Sequence, residues 1–153
     1  MKRGACLVIA VLAVSAGCGA SGDGRLSKNE YEAKLRTAFT AASDHLRAQS
    51  RIAGSPTLVR SIAASYSEIA SSLRGVRPPS DAEALNDRLV AGATAQAAVL
   101  NGLAAKIAGQ PKAARERILA EFDADRIEGQ RQFDAAVEAL TARGYEFRPS
   151  AGT

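Results

Sequence analysis

The chain has 153 residues, which is enough for one domain with its own hydrophobic core. Apolar residues make up 46% of it, but aromatic residues only 5%, so we expect a core of aliphatic side chains separated by alanine. There are 20 Lys and Arg residues against 16 Asp and Glu, a net charge of +4. So weak a charge, without interleaved aromatic residues, excludes nucleic acid as a predicted partner.

The first 17 residues have the pattern of an export signal. Residues 1–3 are short and basic, residues 5–14 are mostly apolar, and residues 15–17 are small and lead directly to Cys18. The apolar run is shorter than the roughly 20 residues that a membrane-spanning helix needs. This stretch resembles the signal peptide of bacterial lipoprotein precursors, whose lipobox ends in a cysteine. The resemblance implies a diacylglyceryl group on the Cys18 thiol and cleavage immediately before Cys18.

An acylated Cys18 implies a location on the extracytoplasmic face of the cell membrane, with the lipid bilayer as the first partner and an envelope protein as a further one. The alternatives are ordinary secretion after cleavage at a small residue, and an uncleaved N-terminal anchor. Residues 18–26 are rich in Gly and Ser, which is typical of a flexible tether. Cys6 would leave with the signal peptide, so no disulfide is expected in the mature protein.

Residues 27–144 are predicted to form four helices. Ser27 and Glu30 have the spacing of a capping box at the start of the first, and Gly54 is its predicted end. The second helix opens with Ser55 as N-cap and Pro56 as the first helical residue, and it ends at Gly75.

The sequence 80–83, Ser-Asp-Ala-Glu, predicts a second capping box and the start of the third helix, which stops at Gly109. Pro111 is expected to be the first residue of one long fourth helix, closed by Gly144. Tyr145 is then placed to cover Leu140, as in a Schellman motif.

Each predicted helix carries apolar residues at helical spacing, and no segment alternates as a strand does. The positions on these helix faces, all apolar except Gln96, are Tyr31, Leu35, Ala38, Phe39, Ala42 and Leu46; Leu58, Ile62, Tyr66, Ile69 and Leu73; Leu85, Leu89, Ala93, Gln96, Leu100, Leu103 and Ile107; and Ile118, Phe122, Phe133, Val137 and Leu140. With short connections, these predict an all-α fold, an antiparallel up-down-up-down four-helix bundle followed by a C-terminal tail at 145–153. The alternative is two helical hairpins that complete a bundle only in a dimer, so the oligomeric state stays open.

Residues that support catalysis or metal binding are scarce in this sequence. His45 is the single histidine, and a boundary position on the first helix is its expected role. Glu121, Asp125 and Glu128 share a helix face that could hold a hard cation, but a solvated face with Arg117 nearby is the preferred interpretation. No nucleophile motif or phosphate loop is present. We therefore predict no enzyme, no metal and no cofactor.

Side chains become small at the middle of the predicted bundle. Ala38 and Ala42, then Gly92, Ala93 and Gln96, and finally Asp125 or Arg126 with Gly129 occupy this layer. Either the helices approach each other closely here, which is the preferred interpretation, or the layer encloses a small-ligand pocket. In the second case, Gln96 and Asp125 are the candidate binding residues.

Charge is uneven along the chain, and this bears on the predicted function. Residues 28–77 carry 8 basic and 4 acidic side chains, whereas residues 80–144 carry 8 basic and 10 acidic ones. The basic half could lie against anionic headgroups, although an ordinary salt-bridged surface is preferred. The function expected from the whole sequence is a membrane-tethered, non-catalytic binding module, and the alternative is a small-ligand carrier or sensor.

Overall fold

A computed structural model describes residues 24–49, 55–122 and 127–147, and within these ranges the chain is all-α, with no strand. The described helices are α1 (Lys28–Gln49), α2 (Pro56–Leu73), α3 (Glu83–Ile107), α4 (Lys112–Ala120) and α5 (Glu128–Ala142). The all-α prediction is confirmed. The predicted signal peptide, Cys18, most of the tether and Gly54 lie outside the described residues.

The first two predicted helix starts are confirmed by their hydrogen bonds. At α1, the backbone N–H and the hydroxyl of Ser27 both donate to Glu30 Oε2, at 2.8 and 2.7 Å. These bonds lower the pKa of the Glu30 carboxyl, with the hydroxyl contributing most. At α2, Ser55 Oγ accepts a 3.0 Å bond from the N–H of Leu58, and Pro56 is the first helical residue.

The predicted capping box at the start of α3 is wrong. The N-cap of α3 is Ala82, which has no side chain able to cap, and residues 80–82 form a turn closed by a 2.9 Å bond from Ala82 N–H to the Pro79 carbonyl. Asp81 instead uses its carboxylate to accept a 2.8 Å bond from the hydroxyl of Tyr145. Asp81 therefore ties the start of α3 to the end of α5.

The predicted single fourth helix is two helices, α4 and α5. α4 ends where the N–H of Phe122 bonds to the carbonyl of Leu119, three residues back, and α5 begins after Ile127 in extended conformation. The two helices pack on different apolar clusters. Pro111, predicted as the first helical residue, is the N-cap of α4, so the helix begins one residue later than predicted, at Lys112.

The helices pack in the sequence α1 on α2, α2 on α3 and α3 on α5, while α4 touches α3. Two apolar clusters hold them. The larger one joins α1, α2, α3 and α5, and the smaller one joins α2, α3 and α4. All seven predicted positions on the face of α3 are buried. On α2 the buried side is shifted, because Val59, Ala63 and Ala70 are buried whereas Leu58 and Ile62 are only half-buried.

The end of α5 closes as predicted and continues into the core. Gly144 has φ +75°, and the N–H of Tyr145 bonds to the Leu140 carbonyl at 3.1 Å, which is the Schellman pattern. Tyr145 is 3% exposed and Phe147 is 1% exposed. The ring of Phe147 lies 5.3 Å from that of Phe39. The sequence assigns these two residues to a tail, but they belong to the packed domain.

The chain just before α1 is also docked on the domain. The N–H of Leu26 donates a 2.8 Å bond to the Arg77 carbonyl, and the Leu26 side chain packs on the larger cluster. Arg25 donates to the Pro78 carbonyl and forms a 2.9 Å ion pair with Glu83. Residues 25 and 26, predicted as tether, are therefore held against the connection between α2 and α3.

Candidate functional site

Two glycines form the crossing of α3 and α5. A Cβ placed on Gly92 would lie 2.7 Å from the backbone nitrogen of Phe133 and 2.8 Å from the Gly129 carbonyl oxygen. A Cβ on Gly129 would lie 2.8 Å from Ala95 Cβ and 2.9 Å from the Gln96 backbone nitrogen. Real Cβ atoms do not make such contacts with backbone, so only glycine permits this approach. At this crossing, the small residues of the middle layer bring two helices together.

Gln96 lies beside this crossing and is 3% exposed. Its Oε1 has no hydrogen-bond partner, a costly condition for a buried polar atom. The second predicted binding residue, Asp125, lies outside the described residues, as does Arg126. The pairing of Gln96 with Asp125 across the layer stays a prediction.

A groove of about 220 Å³ opens between α1, α2 and α5. Three rings contribute to its wall: Tyr66 and Phe39 lie with their centroids 5.3 and 5.9 Å from that of Phe133. The hydroxyl of Tyr66 donates a 2.8 Å bond to Gln130, and burial raises the Tyr66 pKa. Ser43 and Ser65 on the wall bond to backbone carbonyls. The groove thus offers an apolar aromatic surface, and its polar side chains are already hydrogen-bonded. The sequence marked the three rings only as core residues.

Two tyrosines link the start of α1 and the end of α5 to the start of α3. Tyr31 donates a 3.0 Å bond to Asn86, and its ring meets that of Tyr145 edge-on with centroids 5.7 Å apart. Burial raises the pKa of Tyr31 above its usual value. Burial and the bond to Asp81 raise the pKa of Tyr145 to about 12. Both phenols are neutral donors at physiological pH, so they hold structure and are not poised to transfer protons.

The outer face of α3, opposite its buried side, is not covered by any of the described residues. The exposed residues of α3 are Glu83, Ala84, Asp87, Arg88, Ala91, Thr94, Ala95, Ala98, Val99, Asn101, Gly102, Ala105 and Lys106. A groove of about 560 Å³ separates this face from α5, and one of about 650 Å³ separates it from the end of α2. The predicted positions on the face of α3 lie only on the opposite, buried side of the helix.

The carboxylates considered as metal ligands do not converge in the described chain. Glu128 is exposed, and bonds from Arg131 and Gln132 lower its pKa. Glu121 is exposed, and the His45 side chain lies outside the described residues. Across ranges 24–49, 55–122 and 127–147, no group of three His, Cys, Asp or Glu residues is placed to hold a metal ion. Nor does any helix within them have the length and apolar character needed to cross a membrane.

The chain was compared with protein-family models, curated proteins and solved structures. No family model, curated protein or solved structure matches the chain.

Proposed function

We propose that this chain is a bacterial envelope lipoprotein, tethered through acylated Cys18, whose helical domain binds another macromolecule and is not catalytic. The observation that carries the proposal is the run of basic, apolar and small residues ending at Cys18. The docking of Arg25 and Leu26 is consistent with it, because the domain begins about seven residues after Cys18. Those residues reach at most about 25 Å when extended, so the domain would stay close to the bilayer.

The domain would be an up-down-up-down bundle of α1, α2, α3 and α5, with α4 as an addition at one end. The order of packing supports this topology, since each of these helices contacts the next one along the chain. Phe39 of α1 lies against Phe133 of α5, which would close the ring of four helices.

The anchor is tested by Cys18→Ser in the full chain, expressed in a bacterial host that processes lipoproteins. Wild type should fractionate with membranes and carry acyl chains, and two or more acyl chains hold a protein stably where one binds only marginally. The variant should lose acylation and either appear in the soluble fraction or remain as the unprocessed precursor. Cys6→Ser is the matched control and should not change acylation or fractionation. An intact mass of wild type showing an unmodified mature N-terminus would contradict the proposal.

The binding role is supported by the exposed surface of the domain rather than by any cluster of reactive groups. Both grooves along α3 have walls of small and charged side chains, and Tyr31 and Tyr145 are committed to structural bonds. The test is recovery of the acylated protein from its own membranes. A stoichiometric co-purifying protein supports the proposal, and a retained small molecule supports the carrier function instead.

The carrier function is favoured by the aromatic groove between α1, α2 and α5. A volume of about 220 Å³ suits a small apolar ligand rather than a large one. Ser43→Trp would fill this groove, at the cost of only the Ser43 bond to the Phe39 carbonyl of its own helix. A carrier should lose its retained molecule in this variant and keep it in Thr40→Trp, on the exposed side of α1.

A further inference from the structure

The outer face of α3 lacks the charged side chains that exposed helices normally carry. From Leu89 to Ala105 the sequence contains no Asp, Glu, Lys or Arg. Half of this segment is buried against α2 and α5, but the other half is exposed, and Val99 is 39% exposed. A helix that is apolar on all sides is normally covered on all sides. Within the described chain, α2, α4 and α5 contact this helix and leave its other side exposed.

The exposed side has the spacing of a helix-packing face. Ala84, Ala91, Ala98 and Ala105 recur every seven residues, and Ala95 and Gly102 lie beside them. Side chains this small let a second helix approach closely. Asp87 and Arg88 precede the uncharged segment, Lys106 follows it, and all three are exposed. Asp87 and Lys106 are the oppositely charged residues at its two ends.

We infer that the partner of this face is a second copy of the chain, with the two α3 helices antiparallel. The opposite charges of Asp87 and Lys106 favour this partner and this orientation. When Ala95 of one copy is set opposite Ala98 of the other, Ala91 falls opposite Gly102. The same register places Asp87 opposite Lys106, and the two-fold symmetry makes this ion pair twice. A parallel arrangement would instead set Asp87 against Asp87 and Lys106 against Lys106.

The grooves beside α3 complete the fit. A specific interface buries about 1,200 Å² or more, so the partner's α3 has to contact the walls of both grooves as well as the small face. The α5-side groove is walled by Asp87, Arg88, Glu128 and Arg131, which mix both signs of charge, and the groove near α2 is walled partly by Val90 and Thr94. The proposed contacts use only α3 and the walls of its two grooves, so dimerisation should not require acylation.

Charge exchange tests the register. The full chain, purified in mild detergent with and without Cys18→Ser, should sediment as a dimer in both forms. Asp87→Lys and Lys106→Asp should each weaken dimerisation about tenfold, because each turns two attractive pairs into repulsive ones. The double variant Asp87→Lys, Lys106→Asp should restore the affinity to within about threefold of wild type. Lys34→Asp, the same charge reversal on the exposed side of α1, is the control and should change nothing.

A second variant makes the test independent of ion pairs. Ala98→Glu puts a charge at the centre of the face and should give a monomer with unchanged far-UV circular dichroism. A wild-type monomer at concentrations up to about 100 µM would overturn the inference. A dimer whose affinity is unchanged by Ala98→Glu and by the charge reversals, as expected for a dimer of exchanged hairpins, would also overturn the inference.

Discussion

The glycine crossing of α3 and α5 predicts opposite effects for one substitution at two positions of the same helix. Gly92→Ala places a methyl group 2.7 Å from the Phe133 backbone nitrogen, and ordinary contact begins near 3.4 Å, so α5 has to move by about 0.7 Å. Gly102 is exposed on α3 with nothing within 4 Å of its added Cβ. In the Ala98→Glu background, where α3 is expected to lack its partner, Gly102→Ala therefore removes only the conformational cost of glycine. Gly92→Ala is compared in the same background.

The expected magnitudes follow from these two environments. Gly102→Ala should raise the free energy of unfolding by about 0.5–1 kcal/mol, the usual difference between Ala and Gly in a helix. Gly92→Ala gains the same conformational free energy, but the added methyl group overpacks the crossing. Overpacking costs about 1–3 kcal/mol of unfolding free energy, and more when the opposing atoms are backbone. The net effect at Gly92 should be a loss of about 2 kcal/mol. Denaturant unfolding followed by circular dichroism, at one protein concentration for all forms, measures both. If Gly92→Ala stabilises as much as Gly102→Ala, the helices do not cross at these glycines.

Three further predictions concern the core, a helix cap and pH. Phe133→Ala should cost about 3–5 kcal/mol of unfolding free energy, because the ring is buried between two others. Phe122→Ala should cost clearly less, since Phe122 is only half-buried. Equal losses for the two variants in denaturant titrations would contradict this packing. Ser55→Ala should cost about 1 kcal/mol by loss of the cap on α2, whereas Ser80→Ala, at the capping box that does not form, should stay within about 0.5 kcal/mol of wild type. Above pH 10 the folded chain keeps the Tyr145 proton that the unfolded chain loses, so the free energy of unfolding should fall as the pH rises towards about 12. Tyr145→Phe should make this fall shallower in titrations repeated at each pH, and an unchanged slope would contradict the raised pKa.

The sequence predicts those parts of the fold that depend on neighbouring residues. Ser27, Ser55 and Gly144 act within one helical turn, so their spacing alone identifies the caps, and the apolar spacing of α3 identifies its buried side. The Ser80 motif fails because Asp81 bonds to Tyr145, 64 residues away, and no local pattern reports that bond.

The break between α4 and α5 could not be predicted for a related reason. No proline stands between Ala120 and Glu128, and Asp125, Arg126 and Gly129 are equally consistent with a layer of small and polar residues inside one long helix. α4 and α5 pack on two separate clusters, and both clusters include residues of α2 and α3. The break therefore depends on tertiary packing that no local pattern reports.

The candidate site was predictable only in part. The sequence identified the small residues of the middle layer and left open whether they meet or enclose a space. The contact of Gly92 with Gly129 is a long-range property of two helix backbones, and it shows that α3 and α5 meet there. The aromatic groove was not predicted, because Phe39, Tyr66 and Phe133 come from three helices and each looks like an ordinary core residue.

The docking of Leu26 also determines how a pulling force would enter the domain. A load applied at the N-terminus first meets Arg25 and Leu26, which are bonded to the carbonyls of Pro78 and Arg77. Part of the tension therefore passes directly into the connection between α2 and α3, and α1 is not peeled away from its first turn. The contacts of Arg25 and Leu26 bear the load before α1 does, so a force on the domain would have to break them before it could begin to unwind α1.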